Sequence, residues 1–577
     1  MKGKQLIHKI EWYLIPVILI LYPMRKCNQG IDLSDTGYSL YNYELFQQAE
    51  VTWWLVATYL SNCLGSMLQK LPYGDTLLGM NCYTSLLISA MVLMIYCFLK
   101  QWIPFWLVFL GEIMAIHLCW CPTAILYNYL TYFFLTIGII LLYEAMRREK
   151  YYLYVLAGIV LGLNVMVRFS NLTHCTFILA VWYMGCLKKS SHGVIAKQTG
   201  SCVGGYILGM VTGLIPIAWN YGIEEYFNMF FGLSTVGESD GSYALMDMLT
   251  STLVVYWNNL KWIAYMAIAT CAGAIYFRVC GNKFKRVNQV LYCMGIIVLF
   301  RWFYGQGFYN INYQTYDSIL RPTTIYIVLT VIASFVMMGS KKTTVNEKTG
   351  LCILVILTFL LPLGSNNYIY SVFNYTFFLM PVGLYFAYLA IRQTKWDFPV
   401  KAMLFFFLIG LAIQNCLFGL LFSFSGSNFG APRDTMVTEI PKLAGMYTDD
   451  VRAQDLEQLY QVILEQGYLE EELITMGNLP ALHYYFDMDA YLSSAWIDLD
   501  SYTMPTFEED WLGKESQEDS RPVIITNTTI AQIIEAGSLE TLTDLYRGYE
   551  KYLQIIDYME EHQYELQLIN NEFALYY

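Results

Sequence analysis

The chain has 577 residues, 56% of them hydrophobic and 14% charged, with a mean hydropathy of +0.41; soluble chains carry about a quarter charged residues, so a soluble class is excluded. The net charge of −12 hides two regimes: residues 423–577 hold 29 acidic and 7 basic side chains (net −22), the remainder 17 acidic and 27 basic (net +10). The acidic tail repels phosphates and excludes nucleic acid as a partner, and the 14 cysteines, all before residue 423 and none in a CxxC pair, read as small buried hydrophobes.

The amino terminus, MKGKQLIHKIEW, leads into an apolar run ending at Met24. No small-residue cleavage site follows, so the run reads as an uncleaved first span rather than a signal peptide. Runs near the roughly 20 residues that cross a bilayer predict spans at 11–27, 76–99, 102–120, 126–146, 152–168, 172–187, 200–219, 259–278, 288–305, 319–338, 350–364, 376–392 and 399–422. That makes about thirteen, with 152–168 and 172–187 short enough to form a broken or shallow pair. With the amino terminus in the cytoplasm, the loops RREK (147–150), KKSSH (188–192), RVCGNKFKR (278–286), KKTTVNEK (341–348) and RQTK (392–395) all fall on the cytoplasmic side, as the positive-inside rule requires. Residues 28–75 and 423–577 then lie outside. The expected architecture is an all-α polytopic bundle in the cell membrane, residues 1–422, followed by an extracytoplasmic α/β domain, residues 423–577.

Within the first external loop, residues 51–71 read as an amphipathic interfacial helix; a spanning helix there would invert every later loop. Further outside segments, 306–318 and 364–375, mix aromatics with amides. In the tail, 455–466 has helical spacing, 472–478 and 521–527 read as buried strands, and 538–562 reads as one long helix. The order suggests a doubly wound sheet, but no GxGxxG follows either strand, so no nucleotide site is indicated.

The stretch GIDLSDTGYSLYNYELF (30–46) puts Asp32 and Asp35 just past the first span. Asp35 or Ser34 is a natural helix N-cap there, with Asp32 an ordinary loop acid. The functional alternative is a carboxylate at the membrane boundary that takes a proton from an acceptor hydroxyl, with cations nearby to hold a leaving phosphate. Arg168, Arg301, Arg321 and Lys261 supply such cations at the outer ends of spans; snorkelling to headgroups is the plain alternative for each.

The plan of one span, a long outer loop with an early acid, an interfacial helix, many further spans and an outer soluble tail resembles the C-type glycosyltransferase superfamily, which includes protein O-mannosyltransferases and aminoarabinose transferases. DTGY (35–38) resembles that family's D-x-x-Y-like setting of the catalytic Asp, and GLNVMVR (162–168) resembles its fifth-span turn ending in a cation. The resemblance implies an inverting transfer of a hexosyl or pentosyl group. The donor would be a polyprenyl-phosphate sugar and the acceptor a glycan, lipid or protein hydroxyl. Asp35 would be the base and Asp32 its second, Tyr38 would touch substrate, and Arg168, Arg321 and Arg301 would bind phosphate. The second outer loop departs from the pattern: CWCPTAILYNYLT (119–131) carries Asn128 where many members carry an acid, which leaves a divalent metal open as the cofactor.

Weaker signals remain. Glu112 and His117 sit inside the third span, five apart and so off one helix face. GESDGSY (237–243) reads as a flexible loop, and the four aspartates of 484–502 match no EF-hand spacing and read as solvated turns. Nothing in the tail suggests a second active centre. The rival readings are a transporter or flippase of lipid-linked glycan and a non-catalytic membrane scaffold of envelope assembly; a glycan polymerase or ligase is a close variant of the main reading.

Overall fold

The computed structural model describes residues 2–46, 53–224, 226–228, 245–280, 284–363, 365, 367–393, 397–424, 431–499, 501–515, 521–546 and 548–577. The 237–243 loop lies outside these.

Among the described residues eight helices are long and apolar enough to cross a membrane: Lys4–Lys26, Leu77–Leu99, Leu126–Arg148, His192–Asn220, Met246–Cys280, Lys285–Gly305, Asp317–Gly339 and Phe398–Leu421. The chain is a multi-pass membrane protein. The other expected spans fall on shorter helices, Phe105–Leu118, Tyr151–Leu163, Ile178–Lys188, Val345–Leu360 and Leu379–Arg392. At a rise of about 1.5 Å per residue, these fall well short of a bilayer core of about 30 Å.

Two features of the bundle shape the ground around Arg168. First, Tyr151–Leu163 lies directly on His192–Asn220: a Cβ at Gly158 would stand 2.2 Å from the Cys202 carbonyl oxygen, and one at Gly205 2.2 Å from that of Val155. Small residues at a spacing of four let two apolar helices touch backbone to backbone. Second, the expected broken pair is broken at Arg168. Tyr151–Leu163 tightens into a 3-10 turn, Asn164–Met166; Arg168 is extended; a second 3-10 stretch, Phe169–Phe177, leads into Ile178–Lys188.

The first loop forms the helix Asp35–Leu45. The expected helix 51–71 is two pieces, Trp53–Ala57 and Tyr59–Gln69, parted at Thr58. The second piece buries Ser61, Asn62, Gly65 and Ser66; Gly65 leaves room for the ring of Tyr43, which a Cβ there would meet at 2.2 Å.

The tail holds a short ladder, β1 (Thr435–Met436) with β2 (Tyr447–Thr448), and a four-stranded sheet of β3 (Leu473–Met476), β4 (Val523–Asn527), β5 (Leu566–Ile569) and β6 (Phe573–Tyr576), ordered β3-β4-β6-β5. β3 and β4 are parallel and the other pairs antiparallel. Both sheet faces are covered. Leu473, Val523, Ile525 and Leu575 pack with Asp450–Gln466 and Ala481–Phe486, while Ile474, Ile524 and Ala574 pack with Thr528–Glu535 and Tyr549–Glu561. The expected single helix 538–562 is divided into Thr541–Leu545 and Tyr549–Glu561, because Gly548 takes φ 72°, outside the helical region.

Candidate functional site

The loop that carries the two acids is held almost residue by residue by the tail. Tyr447 N–H donates to the Asn28 carbonyl (2.8 Å) and Gly30 N–H to the Tyr447 carbonyl (2.8 Å). Arg452 donates to the Ile31 carbonyl (3.3 Å), Tyr485 OH to that of Asp32 (2.6 Å) and Ala481 N–H to that of Leu33 (3.1 Å). At Gly37 a Cβ would fall 2.1 Å from the Ala481 Cβ, so the backbone of Asp35–Leu45 packs directly on Ala481 at the start of Ala481–Phe486.

The two acids have different duties. The Asp32 carboxylate accepts from Thr36 N–H (2.7 Å), Ser34 N–H (3.2 Å) and Ser34 Oγ (2.9 Å), and so caps the helix Asp35–Leu45 from three residues ahead of it. The cap expected of Ser34 or Asp35 is made instead by Asp32, which was expected to be an ordinary loop acid or a second to Asp35. Asp35 is left half-buried, and its carboxylate makes no hydrogen bond or ion pair among the described residues. Burial, and then the Asp32 carboxylate beside it, push it up to about 7.

Across from Asp35 stands Tyr127, at the start of Leu126–Arg148. The acid helix itself sets that start: Tyr43 OH donates to the Ala124 carbonyl (2.9 Å) and accepts from Leu126 N–H (3.0 Å). The Tyr127 phenol lies within electrostatic reach of both the Asp35 carboxylate and the Arg168 guanidinium. Arg168 sits 5.6 Å from the Tyr127 ring centroid, a cation–π distance. Tyr127 is thus the side chain that carries the field of both the acid and the cation.

Arg168 also lines a polar cavity of about 40 Å³ with Asn128, Tyr132, Asn171, His174 and Asn374. Two buried amides hold the chain break that presents it. Asn171 Nδ2 donates to Thr131 Oγ1 (2.8 Å) and to the Asn164 carbonyl (2.9 Å) and side chain (3.1 Å), and Asn164 Nδ2 donates to the Thr131 carbonyl (3.2 Å). Sequence reasoning missed both amides. Their signal was two asparagines within eight residues of an apolar stretch, where a buried amide needs a fixed partner.

The other predicted residues are elsewhere. Arg321 donates to the carbonyls of Gln306 (3.3 Å) and Gly307 and so ties down the turn after Lys285–Gly305. Arg301 is exposed and stacks over Tyr304 at 5.3 Å, and Lys261 is exposed over Trp262 at 5.3 Å. None of the three lines the Arg168 cavity: Arg321 is engaged by backbone acceptors and Arg301 is exposed. Tyr38 meets the tail, its ring edge-on to Trp496 at 5.4 Å. His117 sits between Tyr22 OH (2.5 Å) and Asn415 Oδ1 (2.8 Å), while both Glu112 oxygens are buried without a partner among the described residues.

Cations that sequence reasoning passed over cluster at the end of Phe398–Leu421. Arg25, Lys26 and Arg433 donate to the carbonyls of Gly419 (2.7 Å), Phe422 (2.8 Å) and Leu421 (2.7 Å), which suits the negative end of a helix. Among the described residues no group of three metal-ligating side chains converges, and Asn128 brings a neutral amide to the cavity where many members of the resembled family carry an acid.

No family model and no curated protein matches the chain. Solved structures of the Archaeoglobus fulgidus oligosaccharyltransferase do align. The complex with zinc and sulfate covers 89% of this chain and 68% of its own, at 12% identity and a TM-score of 0.48. The apo form covers 90% and 70%, at 10% identity and 0.49, and the form tethered to an acceptor peptide 90% and 70%, at 11% and 0.44. At those scores and identities, the chemistry rests on this chain's own residues.

Proposed function

We propose that the chain is an integral membrane glycosyltransferase that moves a hexosyl or pentosyl group from a polyprenyl-phosphate donor to a hydroxyl on an extracytoplasmic glycan, lipid or protein, with inversion. The polar cavity lined by Arg168, with Tyr127 against Arg168 and in the field of the half-buried Asp35, supports this reading. A carboxylate near 7 is matched to taking a hydroxyl proton at neutral pH. In the step, Asp35 takes that proton as the acceptor oxygen bonds to the anomeric carbon on the face opposite the phosphate. The bond from that carbon to the phosphate oxygen breaks, and its electron pair leaves with the lipid phosphate beside Arg168, where fixed positive charge favours the departing anion.

An apolar groove of about 530 Å³ supports a lipid-borne donor. It runs between Leu245–Cys280, Asp317–Gly339 and Val345–Leu360, lined by Trp257, Leu260, Val331, Ile332 and Phe359. Leu360 and Leu361, the next residues along, line the Arg168 cavity. The groove and the cavity thus draw on consecutive residues of one helix end, which supports a lipid chain near the Arg168 cavity. The lysine- and arginine-rich loops support a cytoplasmic amino terminus and an outside tail.

The test is glycan profiling by mass spectrometry of membranes carrying wild type or Asp35→Asn at matched expression. Loss of one product in the variant is expected; an unchanged profile returns Asp35 to a loop acid and rejects the reading.

A further inference from the structure

In the aspartate-rich stretch 484–502, expected to be solvated turns, Asp487 and Asp489 are exposed, but Asp498 is half-buried. Asp498 Oδ2 accepts from Asn478 N–H (3.0 Å), while Oδ1 is buried and has no hydrogen-bond partner among the described residues. Trp496, half-buried, donates from Nε1 to Asn478 Oδ1 (3.1 Å). Asn478 is exposed and holds φ 62°, a left-handed conformation that asparagine tolerates at a cost.

These groups stand where an α/β sheet places ligands. After β3 the chain passes to Ala481–Phe486 on one face of the sheet; after β4 it passes to Thr528–Glu535 on the other. Neighbouring parallel strands that depart to opposite faces open a crevice at their carboxyl ends, the general ligand position of such sheets. Here Gly477 and Asn478 end β3 and Asn527 ends β4. Asn527 Nδ2 donates to the Gly477 carbonyl (3.2 Å) and to Tyr546 OH (3.0 Å), and Gly477 N–H donates to Tyr552 OH (3.0 Å). A Cβ at Gly477 would meet Asn527 Nδ2 at 2.2 Å.

The chemistry of the crevice selects its ligand. It carries an indole, two phenols, two amides and one carboxylate. Lys551 behind it donates to the carbonyls of Ile497 (2.7 Å) and Leu499 (3.4 Å). In a tail of net −22, a phosphate or nucleotide is repelled. Burial raises the Asp498 carboxyl to about 6, while nearby backbone N–H groups, those of Asn478 and Gly477 among them, and the Lys551 charge lower it, so at neutral pH it is chiefly an ionised acceptor. An aromatic face with amide and carboxylate partners suits a neutral sugar, whose C–H face stacks and whose hydroxyls donate.

We propose that this crevice binds a neutral saccharide through Trp496, Asn478 and Asp498, and that the saccharide is part of the acceptor chain, the second clause resting on the proposed transfer. The ring of Trp496 touches Tyr38, and Tyr38 comes three residues after Asp35 on the same helix, hence on the same side. A chain held at Trp496 is therefore led along the acid helix toward Asp35, which makes the acceptor a glycan rather than a peptide.

The test uses the full chain purified in detergent and immobilised neutral hexasaccharides of gluco-, manno- and N-acetylglucosamine type, with an unglycosylated peptide panel beside them. Wild type is expected to bind at least one hexasaccharide. Trp496→Ala and Asp498→Asn are expected to weaken it at least tenfold. Asn478→Gly removes the amide at a backbone angle glycine prefers, so it is expected to fold as wild type and still lose binding. Asp35→Asn is expected to bind as wild type, which separates this site from the transfer reading. Binding of peptides alone, no saccharide bound, or unchanged binding in all three crevice variants overturns the proposal.

Discussion

The acid and the cation of the site are positioned by different halves of the chain. Asp35 is held from outside its own segment: the tail supplies Tyr447, Arg452, Ala481 and Tyr485 to the loop's backbone. Arg168 is held from within the bundle, by Asn164 and Asn171 bonded to Thr131 and by glycines that press Tyr151–Leu163 onto His192–Asn220. The halves meet where Tyr43, on the acid helix, bonds the start of Leu126–Arg148 one residue before Tyr127, which stacks with Arg168. A tail of net −22 thus has a mechanical duty that its charge alone does not suggest.

If that division is right, damage to each half has its own signature. The largest effect is at the acid: Asp35→Asn is expected to lower transfer by a hundredfold to ten-thousandfold, about the range for loss of a general base, with membrane level unchanged on immunoblots. Next is the seam. Gly37→Val drives a side chain into Ala481 and is expected to cost about 1–3 kcal/mol as overpacking. Limited proteolysis reads this as a tail released at lower temperature while the bundle survives. Asn171→Ala, on the bundle side, removes three bonds from a buried amide. It is expected to cost about 1–3 kcal/mol and to raise the KM for donor while leaving tail proteolysis as in wild type. The smallest is Arg301→Ala, an exposed side chain, expected to stay within about 0.5 kcal/mol in thermal stability and to leave transfer unchanged. A larger loss there would bring Arg301 back to the phosphate.

Much of the fold was legible because apolar runs and the charge split are composition, and composition survives without coordinates. The break at Arg168 was legible too, since two short apolar runs parted by a cation cannot each make a full span. The β3 and β4 strands showed as buried runs ending in turn residues. The hairpin β5–β6 was missed, although Asn570 and Asn571 between two alternating runs are a turn signal. The site was less legible. Asp32, Ser34 and Asp35 are all competent caps, and which one bonds Thr36 depends on loop dihedrals that the tail imposes. Arg321 and Arg301 both stand at helix ends, but the direction of a long side chain depends on the nearest acceptor, and the carbonyls of Gln306 and Gly307 became one only when the turn formed. Asp498 read as solvated because its partner Asn478 is twenty residues away and reaches it only through the sheet.

The most direct measurement is the pH dependence of kcat/KM for sugar transfer by the purified chain, wild type against Asp35→Asn. Wild type is predicted to fall about tenfold per pH unit below about 7, as the Asp35 carboxylate takes a proton and ceases to act as base, and the residual rate of the variant is predicted to lack that limb. A variant that keeps both the rate and the acid limb would contradict the assignment of Asp35 as the base.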